Sequence, residues 1–138
     1  MKQRIAYITL VVRDYDEAIE FYTKQLDFEL IEDTIMDEHK RWVLVAPHGS
    51  NECCLLLAKA TNEKQIECVG NQTGGRVGFF LFTDDFWRDY KKLVERNITI
   101  VRPPATFDYG TVAVFEDLYG NMWDIIQPKE KNDARTDG

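Results

Sequence analysis

One strand-helix-strand order runs from the N-terminus and then starts again halfway along, and this repetition constrains the fold more than any other feature of the chain. Residues 4–12, Arg-Ile-Ala-Tyr-Ile-Thr-Leu-Val-Val, read as a strand, and Asp14 followed by Glu17 is a helix-capping signature. Apolar residues then recur at helical spacing at Tyr15, Ala18, Ile19, Tyr22 and Leu26. Three strand-like runs follow, 28–35, 41–46 and 53–58, separated by the polar turn Asp37-Glu38-His39-Lys40 and the break Pro47-His48-Gly49-Ser50-Asn51. Residues 59–75 lack a period and end in Thr73-Gly74-Gly75, which predicts a linker.

The order then begins again. A strand is predicted over 77–82, and Thr83-Asp84-Asp85 can cap a helix whose apolar face is Phe86, Trp87, Tyr90, Leu93 and Val94. A short strand over 98–101 is expected to stop at Arg102-Pro103-Pro104, because proline cannot donate to a ladder. Two further strands are predicted over 110–115 and 122–126. The halves overlay at an offset of about 68 to 70 residues, setting Ala18, Ile19 and Tyr22 over Phe86, Trp87 and Tyr90, and Cys54-Leu55-Leu56-Leu57 over Met122-Trp123-Asp124-Ile125. Two tandem βαβββ modules, about 4–59 and 76–128, joined by a linker at about 60–75, predict an α+β domain over 1–128. Its sheet of about eight strands would carry helices on its outer face. A polar C-terminal tail is expected over 129–138.

Bulk chemistry narrows the function. The net charge of −7 leaves no basic stripe to neutralise phosphates, so a nucleic-acid partner is not expected. No apolar run approaches membrane-spanning length and the N-terminus lacks a signal-peptide pattern, so a soluble, cytoplasmic protein without a membrane partner is expected. Three cysteines make neither a disulfide framework nor a zinc spacing. Cys53 and Cys54, adjacent on a strand, point to opposite faces and read as small core residues, while Cys68 is expected in a loop.

Asp124 is the leading candidate for a site. It follows the turn Tyr119-Gly120-Asn121 and stands between Met122-Trp123 and Ile125-Ile126, where burying a carboxylate without a partner is costly. Alternation turns Trp123 toward the helices and groups Met122 and Ile126 with Asp124. Trp42, Phe107, Tyr109 and Tyr119 are candidate aromatic walls, with Phe107-Asp108-Tyr109 as a candidate mobile lid after Pro103-Pro104. The helical aromatics Tyr15, Phe21, Tyr22, Phe86, Trp87 and Tyr90 are expected in the core.

Two passages, Ile8-Thr9-Leu10-Val11-Val12-Arg13-Asp14 leading into Ala18-Ile19-Glu20-Phe21-Tyr22 and Leu26-Asp27-Phe28, and the run from Phe115 to Gln127, resemble the vicinal oxygen chelate superfamily of glyoxalase I, bleomycin-resistance proteins and extradiol dioxygenases. The resemblance spans Arg4 to about Pro128. It implies that the modules curl into a cup, that members pair as dimers, and that metal-dependent members place ligands on the first and last strands of each module. By position those sites fall on Tyr7, Leu56, Arg76 and Asp124. Only Asp124 has the chemistry of a divalent-ion ligand: leucine cannot coordinate, arginine repels a cation, and a neutral phenol replaces imidazole poorly. His39 and His48 lie in polar turns away from matched positions. No metal or other cofactor is therefore expected.

The resulting expectation is metal-independent binding of a small organic molecule in the cup, of the bleomycin-resistance type, sequestering an antibiotic or toxin as a homodimer. Tyr7, Trp42, Leu56, Arg76, Phe107, Tyr109, Met122 and Asp124 would line the site. Arg76 and Asp124 are expected to form a charge pair, structural or ligand-binding, that lowers the Asp124 pKa. The alternative is a glyoxalase-like lyase or isomerase, either metal-dependent through divergent ligands or using Asp124 and Tyr7 as acid and base. Ligand identity is not written in these residues.

Overall fold

In the computed structural model, residues 1–50 and 52–129 are described, so Asn51 and the part of the predicted tail from 130 onward lie outside the described residues. The chain divides into two compact units, Met1–Gln72 and Thr73–Gly138. Each carries a four-stranded mixed sheet, and the eight strands form two separate hydrogen-bonded sheets rather than one. The α+β class follows as expected.

In the first unit, β1 (Tyr7–Val12) leads to α1 (Tyr15–Glu20), which continues as a π-helical stretch, Phe21–Gln25. Then come β2 (Glu29–Ile35), β3 (Arg41–Ala46) and β4 (Cys54–Lys59), in the spatial order β1-β4-β3-β2. β1 runs parallel to β4, and the other pairs are antiparallel. Asp14 caps α1 by accepting from the Glu17 backbone N–H at 3.0 Å. Leu10, Val12, Val43, Val45 and Leu57 are fully buried on the sheet face toward α1, together with Tyr15, Ala18 and Tyr22 of the helix.

Arg41 fastens the helix to that face. Its guanidinium donates to Asp33 on β2 at 2.6 and 3.1 Å and to Asp16 on α1 at 2.8 Å, and it lies 5.2 Å from the Tyr15 ring centroid. These partners hold the Arg41 pKa above its ordinary value, the Asp33 hydrogen bonds contributing most.

Residues 59–75 are not a plain linker. They contain a short helix, α2 (Glu63–Cys68), capped by Asn62, which accepts from the Gln65 N–H at 2.9 Å. Six residues are too few to show helical periodicity against a polar background. Cys68 therefore ends a helix rather than sitting in a loop, and Cys53 is exposed while Cys54 is buried. Beyond α2, the Gln72 side-chain amide donates to the Thr9 carbonyl at 2.7 Å and accepts from the Val11 N–H at 2.9 Å. A single side chain thus occupies part of the free edge of β1.

The second unit repeats the plan with β5 (Phe79–Phe82), α3 (Phe86–Glu95), β6 (Ile100–Phe107), β7 (Gly110–Glu116) and β8 (Met122–Pro128), ordered β5-β8-β7-β6. Asp85 caps α3 through the Arg88 N–H at 3.2 Å, and the Gln127 amide oxygen on β8 accepts from the Phe86 N–H at 2.8 Å. Phe86 and Leu93 are buried, but Trp87 is 59% exposed and lies outside the core.

β6 does not stop at Arg102. It runs through Pro103 and Pro104 because it is the sheet's outer strand, and a register shift between Arg102 and Ala105 leaves both prolines out of the ladder. Phe107-Asp108-Tyr109, the candidate mobile lid, is a tight hairpin: Phe107 pairs with Gly110, and Asp108-Tyr109 is its two-residue turn. Gly110, at φ 151°, is obligatory there, since a Cβ would run into the Gln127 carbonyl oxygen.

The two caps set the true repeat. Asp14 corresponds to Asp85, an offset of 71, and the residues ending each helix in the left-handed region, Asp27 (φ 60°) and Asn97 (φ 59°), correspond at 70. The extra residue in the first unit is housed in the π-helical stretch. Paired strands then give 68 between β4 and β8, from Leu56 to Asp124. The overlay of Ala18 on Phe86 is therefore three residues out of step, and Tyr15 and Tyr22 match Phe86 and Leu93, all four of them buried.

Candidate functional site

Each sheet has one face under its helix and one face without. On β8 the pattern is regular: Trp123 (4% exposed) and Ile125 (2%) are buried toward α3, while Met122, Asp124 and Ile126 turn to the opposite face, as alternation requires. Trp123 stacks on Phe79 at 4.6 Å and on Phe115 at 6.0 Å. The helix-free face of sheet 2 has one row set by register, in which Phe80, Asp124, Val114 and Arg102 stand side by side on β5, β8, β7 and β6.

Asp124 is partly buried among these neighbours, and burial pushes its carboxyl above the usual value, with the Arg102 guanidinium acting against it. This reverses the expected direction, and the opposing cation is Arg102 rather than Arg76. Arg76 precedes β5 by three residues, and its carbonyl accepts from the Thr73 hydroxyl. With the repeat at 71 in this region, the counterpart of Tyr7 is Gly78. Among the described residues no ion pair joins Arg76 to Asp124.

Asp89, on α3, provides the contrast within the same unit. Burial pushes its carboxyl upward too, but hydrogen bonds from Arg88 (2.9 Å) and the Thr83 hydroxyl outweigh it and hold the group below its ordinary value. Asp124 has no such side-chain donor among the described residues, so only the charge of Arg102 offsets the desolvation of its carboxylate.

The other expected site residues fall into two groups. Tyr7, Trp42 and Leu56 come together on the helix-free face of sheet 1: Tyr7 and Trp42 meet edge to face at 6.0 Å, and Trp42 and Leu56 pack on the buried cluster Leu44, Ala46 and Cys54. Phe107 ends β6 and Tyr109 lies in the β6–β7 turn of unit 2, their rings stacked at 5.4 Å and both exposed. His39 and His48 are 89% and 81% exposed in their turns.

Asp117 and Arg102 escaped the sequence reading. Asp117, 5% exposed, accepts from the Tyr119 and Asn121 N–H groups at 2.9 Å each and from the Asn121 side chain at 2.8 Å, so it builds the turn that launches β8. Asp117 spaced two and four residues before Tyr119 and Asn121 was the available signal, since aspartate organises turns in this way. Arg102 acquires its face only because β6 continues through the prolines as an outer strand.

Among the described residues no three His, Cys, Asp or Glu side chains gather as a metal site would require. Of the four positions carried over for a metal, Tyr7 and Leu56 stand in an aromatic and aliphatic cluster and Arg76 outside the strand, so the donor set does not fit a divalent ion.

An α+β fold of two βαβββ units, with chemistry confined to the helix-free faces, defines the class. A model of the Glyoxalase/Bleomycin resistance protein/Dioxygenase superfamily matches residues 4–125, and the chain belongs to that superfamily. It is 60% identical over 132 residues to an uncharacterized protein of Shewanella frigidimarina (strain NCIMB 400), covering 95% of this chain and 98% of that one. Among solved structures it is similar to UcmS2 (TM-score 0.80, 30% identity, 91% of this chain and 98% of that one). It is also similar to TnmS3, an antibiotic binding protein from Streptomyces sp. CB03234 (TM-score 0.75, 28% identity, 93% and 98%). No helix among the described residues is long and apolar enough to cross a membrane.

Proposed function

We propose that this protein binds a small organic molecule without a metal ion, sequestering it in the manner of an antibiotic-binding protein. The observation that carries this reading is the chemistry of the helix-free faces: an aromatic and aliphatic cluster around Trp42 and Tyr7 in one unit, and a desolvated carboxylate beside Phe80, Met122 and Ile126 in the other. Apolar surfaces with few polar groups suit an organic ligand, and among the described residues no three His, Cys, Asp or Glu side chains gather to hold a catalytic metal. The similarity to TnmS3 supports the same reading. Assembly as a homodimer and a cytoplasmic location belong to this proposal.

Native mass spectrometry of protein purified without chelator tests it. A retained organic mass with no stoichiometric divalent ion is expected, together with Tm increases that depend on ligand concentration and no turnover. A bound divalent ion in every chain would overturn the metal-independent reading. A second reading, metal-free acid–base catalysis by Asp124, is favoured by its raised pKa alone. It requires turnover whose rate rises as Asp124 loses its proton and vanishes in Asp124→Asn.

A further inference from the structure

The row across the helix-free face of sheet 2 holds two opposite charges that do not meet. Arg102 and Asp124 both pair with Val114, from its two sides, so their side chains rise from the same face two strand spacings apart, about 9–10 Å at the backbone. Between them stands Val114, apolar and 2% exposed, so it is covered and offers no open surface of its own. Next to Asp124, on the outer strand, Phe80 shares the row and is 62% exposed.

Neither charged side chain has an ion-pair or hydrogen-bond partner among the described residues. Elsewhere in this unit Arg88 is held by Asp84 and Asp89, and Asp117 by its own turn. A carboxylate and a guanidinium on one face, separated by one buried apolar residue and flanked by an exposed ring, are complementary to a molecule with a cationic end, an anionic end and a flat apolar body between them.

We propose that Arg102 and Asp124 are the two poles of a recognition site for a zwitterionic aromatic molecule, its ammonium group on Asp124, its carboxylate on Arg102 and its ring against Phe80. This rests on the small-molecule reading above and names the ligand class. Arg102 donates through its planar fork to the ligand's carboxylate, and Asp124 accepts from the ammonium, whose arrival compensates the desolvated carboxylate. Specificity follows from the separation: a molecule with one pole satisfies one residue and leaves the other without a partner, so each half alone binds more weakly.

The test is an NMR titration of the isotopically labelled full chain with 4-(aminomethyl)benzoate, and with benzylamine and benzoate as one-pole controls. The zwitterion is expected to bind at least about tenfold more tightly than either control, equivalent to about 1.4 kcal/mol, shifting backbone signals of both Asp124 and Arg102. Arg102→Gln, at an exposed position, should reduce the zwitterion to the level of benzylamine and leave benzylamine unchanged. Asp124→Asn should reduce it to the level of benzoate. Equal affinities for the three probes, or unchanged zwitterion binding in both variants, would overturn the inference. If native mass spectrometry finds a neutral organic ligand retained by both variants while the probes fail, the binding function stands and the two-pole site falls. If the zwitterion binds as expected to a chain carrying a stoichiometric divalent ion, the two-pole site stands and the metal-independent reading falls.

Discussion

Corresponding rows of the two sheets carry very different chemistry on their helix-free faces. In unit 1 the row is Thr9, Leu56, Leu44 and Glu32; in unit 2 it is Phe80, Asp124, Val114 and Arg102. The neighbouring row, which faces the helix, is apolar throughout in both: Ile8, Leu55, Val45 and Leu30 against Phe79, Trp123, Phe115 and Ile100. The face beneath a helix must exclude water to stabilise the unit, so it admits apolar residues or charges paired as Arg41 and Asp33 are. The opposite face is not bound by that demand. It is where two copies of one architecture can diverge, and here the inner strand of one carries leucine and that of the other a carboxylate.

The turns entering β4 and β8 differ as sharply, and the largest expected effect lies there. Asp117 anchors the second turn from a buried position, whereas the first begins with Pro47 and an exposed His48. Asp117→Ala should leave buried donors unsatisfied and cost about 3 kcal/mol, lowering Tm by roughly 10 °C in thermal unfolding. A drop under about 2 °C would mean that the turn is held by something other than Asp117. Next is Gly110→Ala, expected to cost about 2 kcal/mol because the new methyl meets the β8 backbone and the residue cannot relax at φ 151°. Denaturant unfolding would show it as a lower midpoint.

Asp124→Asn should act in the opposite direction. Because burial raises the folded-state pKa of Asp124 above its unfolded value, the ionised group destabilises the fold at neutral pH, and stability is regained as pH falls through the folded pKa. The amide is therefore expected to raise Tm at pH 7 by up to about 4 °C, with the advantage disappearing in acid. Leu56→Asn, its counterpart in unit 1, should lower Tm at every pH, which would confirm that only one of the two matched positions holds a strained charge. The smallest effect belongs to His48→Ala. Its contact with Glu29 is 3.6 Å long and exposed, so a change within about 0.5 kcal/mol is expected; a larger one would show that the first turn is anchored after all.

Much of this was legible in the residues. The capping carboxylates Asp14 and Asp85, the alternation around Asp124 and the repeat itself are local patterns, set by covalent geometry and by the periods of helix and strand. The opposition of Trp123 and Asp124 followed from period two alone. Other features needed partners far away in sequence. That Pro103 and Pro104 could lie within a strand depends on β6 being an outer strand, and the length of the first helix depends on a π-helical stretch that no residue announces. No single offset therefore holds for the repeat: Arg76 falls before β5, and the charge in the row of Asp124 is Arg102 on β6.

The sequence by itself determined the duplicated α+β plan, the helix starts, and Asp124 as the carboxylate set among apolar neighbours. Tertiary structure alone decided that eight strands make two sheets, that Arg102 stands in one row with Asp124, and that this carboxylate is desolvated rather than paired. The division has a physical cause. Periodicity and capping act over a few residues, while strand register and burial depend on which distant segments pack together, and the pKa of a carboxylate answers to that packing.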